Sequence, residues 1–196
     1  MIGWVPKVLV GFLDQIAGED TRRTILADAK LDPEGTEFRL DRDVPDPACR
    51  KVIEAACARL GVTEAQAFTL FAPYFLAAAH ASFPGFFRKV AGTRAFLLGQ
   101  PAIHNCLAAG LRDPQRRAVA DKFRVEATPG GVRVFYNSPN RLAALYVAVA
   151  HELAKNYGEA VKIGFEAGGP ESEKCTISVE LEPVAAVTPD LATVAA

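Results

Sequence analysis

The side chains best equipped for chemistry in this sequence are three histidines and one short polar run. His80 lies among alanines near the end of an expected helix and reads as a semi-buried structural residue. His151 stands beside Glu152 on what would be the polar side of a later helix, a solvated position. His104 differs, because Pro101, Ala102, Ile103, Leu107 and Ala108 surround it and its segment must pack against a core. An imidazole on an apolar face is either a satisfied core residue or a ligand. As a ligand it would be neutral, the form that binds a metal ion.

The polar run is Tyr136-Asn137-Ser138-Pro139-Asn140-Arg141, at an expected strand-to-helix junction. Hydroxyls two residues apart on a strand share a face, and a guanidinium follows within one helical turn. Such a set grips carboxylates through hydrogen bonds and a charge-assisted contact. Haem carries two propionates of that kind, and a haem wants both an axial imidazole and an apolar surround. The same residues equally suit a plain helix start, with Ser138 as N-cap and Pro139 at the first helical position. The two roles are compatible.

Signatures of common enzymes are missing: there is no G-x-S-x-G, no H-E-x-x-H and no G-x-G-x-x-G after a strand. Asp41, Asp43 and Asp46 cluster beside prolines and read as a solvated turn, not a metal site. The chain is expected not to be an enzyme.

The elements that must position these residues follow from periodicity. Val8, Leu9, Phe12, Leu13 and Ile16 recur at helical spacing up to Gly18. Asp20 or Thr21 can cap a short helix through Ala29, with Ile25 and Leu26 inward. Residues 33–47 are rich in Pro, Asp and Gly and read as loop, with a short strand at Phe38 to Leu40. Val52, Ala55, Ala56 and Leu60 mark a helix closed by Gly61, and Thr63 and Glu64 open another that runs to about Ser82. Past Pro84, Phe86 to Leu98 reads as a further helix, and Gly99-Gln100-Pro101 as the start of a separate short one carrying His104. Then the pattern changes to strands at Phe123 to Thr128 and Val132 to Tyr136, joined by Pro129-Gly130-Gly131. A helix from Pro139 to Tyr157 and strands at Val161 to Glu166 and Thr176 to Glu182 complete the order. The sum is an α+β fold, a helical N-terminal part (about 1–112) on a β-β-α-β-β part (about 113–183) with an antiparallel sheet. Residues 184–196 lack periodicity and are expected to form a mobile tail.

Composition narrows the partners. The 196 residues carry 22 basic and 23 acidic side chains, a net charge of −1, which excludes a globally basic nucleic-acid binder. No apolar run is long enough to span a membrane, and the N-terminus reads as a folded helix, not a secretory signal. Cys49, Cys57, Cys106 and Cys175 show no C-x-x-C spacing and read as free thiols of a cytoplasmic protein. A zinc site is not expected, since Cys175 and His151 stand in the C-terminal third without an obvious third ligand.

Over about residues 1–183 the chain resembles the haem nitric oxide/oxygen binding (H-NOX) family, in the bacterial standalone form. The resemblance rests on Met1-x-Gly3, Gly18-Glu19-Asp20-Thr21 followed by Ile25-Leu26, Phe83-Pro84 before a Phe pair, and His104 about thirty residues before Tyr136. It implies haem b (iron protoporphyrin IX) between the helical part and the sheet, with His104 as the iron ligand on a short helix. It implies that Tyr136 and Ser138 hold the propionates through a Y-x-S-x-R motif. It implies a gas sensor in which nitric oxide weakens the iron–His104 bond, moves the helix and changes the surface shown to a histidine kinase or a diguanylate cyclase. The chain carries no such output domain, so a separate partner is expected.

One departure leaves two registers open. Ungapped, the motif's arginine position holds Asn140; with a one-residue insertion it holds Arg141. One residue on a helix turns a side chain by roughly 100°. The distal tyrosine that oxygen-binding members carry five residues further on is Leu145 in the first register and Tyr146 in the second. With Val5, Leu9 and Phe75, Leu145 would make an apolar distal wall that favours nitric oxide over the more polar oxygen complex. The rivals are a haem-free regulatory or interaction module on the same scaffold and an oxygen sensor using Tyr146. A haem peroxidase stands last, because His80 is its sole candidate for a distal acid-base group.

Overall fold

The structure, a computed structural model, describes residues 3–34, 38, 44–109 and 123–182. Helix α1 (Trp4–Ala17) turns its apolar stripe of Val8, Leu9, Phe12 and Leu13 inward and ends at Gly18. Helix α2 (Glu19–Asp28) follows at once, with Gly18 and not Asp20 or Thr21 as its N-cap, and buries Ile25 and Leu26. Helix α3 (Asp46–Leu60) stops at Gly61, whose φ of 67° is left-handed backbone that glycine adopts without cost. Helix α4 (Glu64–Ser82) opens with a reciprocal capping box between Thr63 and Gln66.

The segment after α4 differs from the sequence expectation. Pro84–Phe86 is a single 3-10 turn, and helix α5 then runs without interruption from Thr93 to Ala108. Pro101 lies inside that helix. A proline there forfeits one backbone bond, but Phe96, Leu97 and Ala108 are buried on both sides of it and hold the two ends on one core. His104 therefore sits on the last turns of a 16-residue helix, not on a short one.

Strands β1 (Phe123–Thr128), β2 (Gly131–Asn137), β3 (Ala160–Ala167) and β4 (Lys174–Glu182) form one sheet in the order β1-β2-β4-β3. Every neighbouring pair is antiparallel. Register puts Phe123, Tyr136 and Cys175 in one row and Val134, Ile177 and Phe165 in the next, all on one face. Helix α6 (Ala143–Asn156) connects β2 to β3 and starts four residues later than Pro139, with Leu142 as its N-cap. Residues 138–142 are instead a turn, so Ser138 is not a helix cap.

Two cores result. The first gathers Trp4, Leu9, Phe12, Leu13, Ile25, Val52 and Phe71 from α1 to α4, together with Leu145 of α6. The second gathers Phe96 and Leu97 of α5, Phe123, Val134, Ile177 and Val179 of the sheet, and Leu153 of α6. Helix α6 packs along α4 and on β3, while α5 packs on β1, β2 and α6. The described part is thus a mixed α+β fold with an antiparallel sheet, as the pattern predicts. The expected strand at 38–40, the boundary near 112 and the tail at 184–196 lie in or border on segments outside the described residues; Phe38 itself is not in a strand. Asp41 and Asp43 lie outside them too.

Candidate functional site

His104 projects from the C-terminal turns of α5 toward the sheet. Its ring stacks on Phe123, with centroids 5.0 Å apart and planes at 27°, and Phe123 meets Tyr146 at 5.4 Å. The residue keeps some exposure, yet burial pushes the imidazole pKa down to about 4, so it is neutral at physiological pH. Among the described residues, no three His, Cys, Asp or Glu side chains gather where they could hold a metal ion.

The N-terminal end of α5 is fixed by the sheet half. The Glu159 carboxylate accepts the Thr93 N–H at 2.8 Å, capping the helix. Gly92, at φ 129°, leaves room for that carboxylate; a Cβ there would stand 2.6 Å from Glu159 Oε1. Arg94 donates to the carbonyls of Gly131 (3.1 Å) and Thr128 (3.3 Å), tying the helix to the β1–β2 hairpin. Sequence reasoning missed Phe123 as a site residue, although the alternation of Phe123, Val125 and Ala127 marks it as inward-facing. Glu159 and Arg94 carry no local signal, since their partners lie 66 and 37 residues away.

The polar run is drawn into a compact knot. Tyr136 Oη accepts the Leu142 N–H at 2.9 Å, and Ser138 Oγ accepts the Asn140 N–H at 3.3 Å. Burial pushes the Tyr136 pKa up, with hydrogen bonds from Leu142 and Ser138 opposing it. Ser138 is buried, and the Asn140 amide oxygen is buried with no partner. Arg141 takes left-handed backbone at φ 51° and is exposed.

The remaining candidates fall on the helical side. Leu9 and Leu145 belong to the first core, and Val5 and Phe75 pack against it. Tyr146, one residue after Leu145, turns instead into the second core beside Phe123, where its hydroxyl is buried and unpartnered. His151 is exposed, as expected. His80 is exposed and not semi-buried, stacked at 3.6 Å on Phe87, which packs against both cores.

The sequence matches the haem-NO-binding family over residues 2–165. The chain belongs to that family. Several solved H-NOX structures share its fold. One is an H-NOX protein from S. oneidensis in the Fe(II)NO state, at TM-score 0.76 and 14% identity, covering 93% of this chain and 100% of that one. Another is an oxygen-binding H-NOX domain related to soluble guanylate cyclases, at TM-score 0.71 and 13% identity, covering 93% and 96%. A third is a mutant of T. Tengcongensis H-NOX, at TM-score 0.73 and 14% identity, covering 94% and 100%. Among curated proteins none matches the sequence. H-NOX domains bind haem, sense small gas ligands and signal to partners; they are sensor domains rather than enzymes. The residues present fit that group: a neutral imidazole in an apolar setting, and two hydroxyls, of Tyr136 and Ser138, able to donate to carboxylates. Among the described residues no helix is long and apolar enough to cross a membrane.

Proposed function

We propose that this chain is a haem-based nitric oxide sensor, with residues 1–183 as the sensing domain. Iron protoporphyrin IX would lie between the helical half and the sheet, and the signal would pass to a separate protein, a histidine kinase or a diguanylate cyclase. The observation that carries this reading is His104, an imidazole kept neutral by burial against Phe123 in a family whose domains bind haem. When bound, the haem supplies the iron at which a diatomic gas is taken up.

The chain's own residues do the rest. His104 offers an uncharged nitrogen as ligand, and the Tyr136 and Ser138 hydroxyls meet the propionates. Val5, Leu9, Phe75 and Leu145 form the wall on the gas side and bring no hydrogen-bond donor to it. Selective oxygen binding draws on such a donor, so the wall favours nitric oxide. A displacement of His104 carried along α5 would reach the β1–β2 hairpin and the turn after α6 through the Arg94 tie and the Glu159 cap at the other end of the helix. Those surfaces are the ones a partner would read. The four free cysteines fit a reducing, cytoplasmic setting.

The test is the absorption spectrum of haem-reconstituted protein, reduced without air and exposed separately to nitric oxide and to air. The expected result is a five-coordinate ferrous spectrum that shifts with nitric oxide and yields no stable oxygen complex in air. A stable oxygen complex would overturn the gas preference. A folded protein that never acquires a Soret band would overturn the sensor and leave the haem-free interaction module.

A further inference from the structure

The family motif asks for arginine where this chain has Asn140, and the neighbouring Arg141 is the obvious replacement. The local backbone argues against that replacement. Arg141 sits at φ 51°, its N–H is engaged by the Ser138 carbonyl at 3.2 Å, and its side chain is exposed. Left-handed backbone is uncommon for a residue other than glycine; here it forms part of the turn that leads into α6 and leaves the guanidinium in solvent. Asn140 has the opposite disposition. Its N–H is fixed on Ser138 Oγ, and its amide oxygen is buried without a partner. A buried polar atom in that state is destabilising unless something meets it. A carboxylate only accepts, so in the clamp the amide turns its NH2 donor to that place; amide oxygen and nitrogen are told apart by the partners they meet.

We infer that Asn140, and not Arg141, completes the carboxylate clamp with Tyr136 and Ser138, so that this chain grips haem propionates through neutral hydrogen-bonding groups. The inference rests on the haem reading above and extends it to the chemistry of the clamp. It agrees with the distal side, because the register that gives Asn140 to the clamp also gives Leu145, not Tyr146, to the gas-side wall, and Leu145 is the one found in the helical core. The guanidinium whose field reaches Tyr136 belongs to Arg50 of α3. It is already engaged by Glu54 at 3.1 Å and Glu64 at 2.6 Å.

The experiment uses the full chain loaded with haem or with haem dimethyl ester, whose propionates carry no charge, and follows transfer of each to apomyoglobin. Asn140→Asp keeps the side-chain shape and sets a carboxylate against the propionates. It should speed loss of haem about tenfold or more while leaving loss of the dimethyl ester within about twofold, a split that a purely structural role for Asn140 cannot produce. Arg141→Ala should leave both within about twofold, and wild-type haem loss should change little between low and high salt, because no exposed charge pair is being screened. Equal acceleration for haem and ester in Asn140→Asp, or a haem-selective loss in Arg141→Ala, would overturn the assignment while leaving the sensor reading intact. A wild-type chain that takes up neither probe would overturn both, and is recognised before any variant is made.

Discussion

The helical half and the sheet half of this molecule enclose their interiors differently. The apolar cluster of the helical half is Trp, Val, Leu, Ile, Phe and Ala with one thiol at Cys49, and its polar groups sit at the edge. The Trp4 indole N–H donates to Ser82 at 3.2 Å, the buried Arg22 donates to the Pro33 carbonyl at 2.6 Å, and the Tyr74 phenol is only partly buried. The sheet half packs an imidazole and a phenol against Phe123, His104 stacked at 27° and Tyr146 tilted at 56°. In the proposed sensor the gas-side wall would work through the donors it lacks, and the ligand-side wall by keeping one nitrogen uncharged. Both walls draw on α6, where Leu145 enters one core and Tyr146 the other. Consecutive positions on a helix are roughly 100° apart, so a slip of one residue would exchange an apolar wall for a hydroxyl-bearing one.

The largest effect that separates the halves comes from their central rings. Phe71, buried against Phe12 and Phe75, and Phe123, buried against His104 and Tyr146, hold matching places. Replacing either by alanine should cost about 3–5 kcal/mol in chemical denaturation. NMR titration of His104 should tell the variants apart: Phe123→Ala admits water and raises its pKa toward 6.5, while Phe71→Ala leaves it low. Equal shifts in both would mean that the two cores are one environment and that the contrast drawn between them is wrong.

A slightly smaller effect follows from the buried imidazole itself. The folded apoprotein holds His104 near pKa 4 against an ordinary 6.5, so the unfolded chain binds the extra proton between those values. The contribution of neutral His104 is fully present above about pH 6.5 and is lost as pH falls through about 4, on the order of 3 kcal/mol in all. Subtracting the pH–stability curve of His104→Leu from that of the wild type should isolate this slope. Parallel curves would show that the ring is hydrated, and the ligand-side wall would then be as open as any surface.

How much of this is legible in the sequence depends on whether the signal is local. The strands can be read because alternation such as Val132, Val134 and Tyr136 is set by the pleat. Helices α1 and α3 carry their stripes and stops within their own sequence, except that Ile16, at helical spacing with the α1 stripe, is exposed just before Gly18. The continuity of α5 is not legible, because Gly99 and Pro101 weaken a helix locally while Phe96, Leu97 and Ala108 hold it through packing. The start of α6 falls later than its sequence suggests for the converse reason. Pro139 suits a first turn, but Tyr136 takes the N–H of Leu142 and Ser138 that of Asn140, and these bonds stabilise a turn before the helix begins. His104 stands out through its apolar neighbours, whereas Phe123 beneath it does not, since a phenylalanine in a strand is ordinary. The choice between Leu145 and Tyr146 lies beyond periodicity, because both fall on one broad apolar face and only the second core distinguishes them.

That choice also sets the smallest of the expected effects. Tyr146 carries a hydroxyl buried in the sheet half with no partner, and burial pushes its pKa up. Removing an unsatisfied buried hydroxyl relieves its desolvation cost, so Tyr146→Phe should stabilise the apoprotein by about 1 kcal/mol and raise Tm by about 2–4 °C. Gas binding should not change, because the Tyr146 ring packs on Phe123 in the second core, whereas Leu9 and Leu145, of the proposed gas-side wall, belong to the first. A Tyr146→Phe protein that is less stable would mean that the hydroxyl has a partner, a buried water being the simplest. One that loses an oxygen complex present in the wild type would carry Tyr146 to the gas side, and the assignment of Asn140 to the clamp would have to move with it, because one register fixes both.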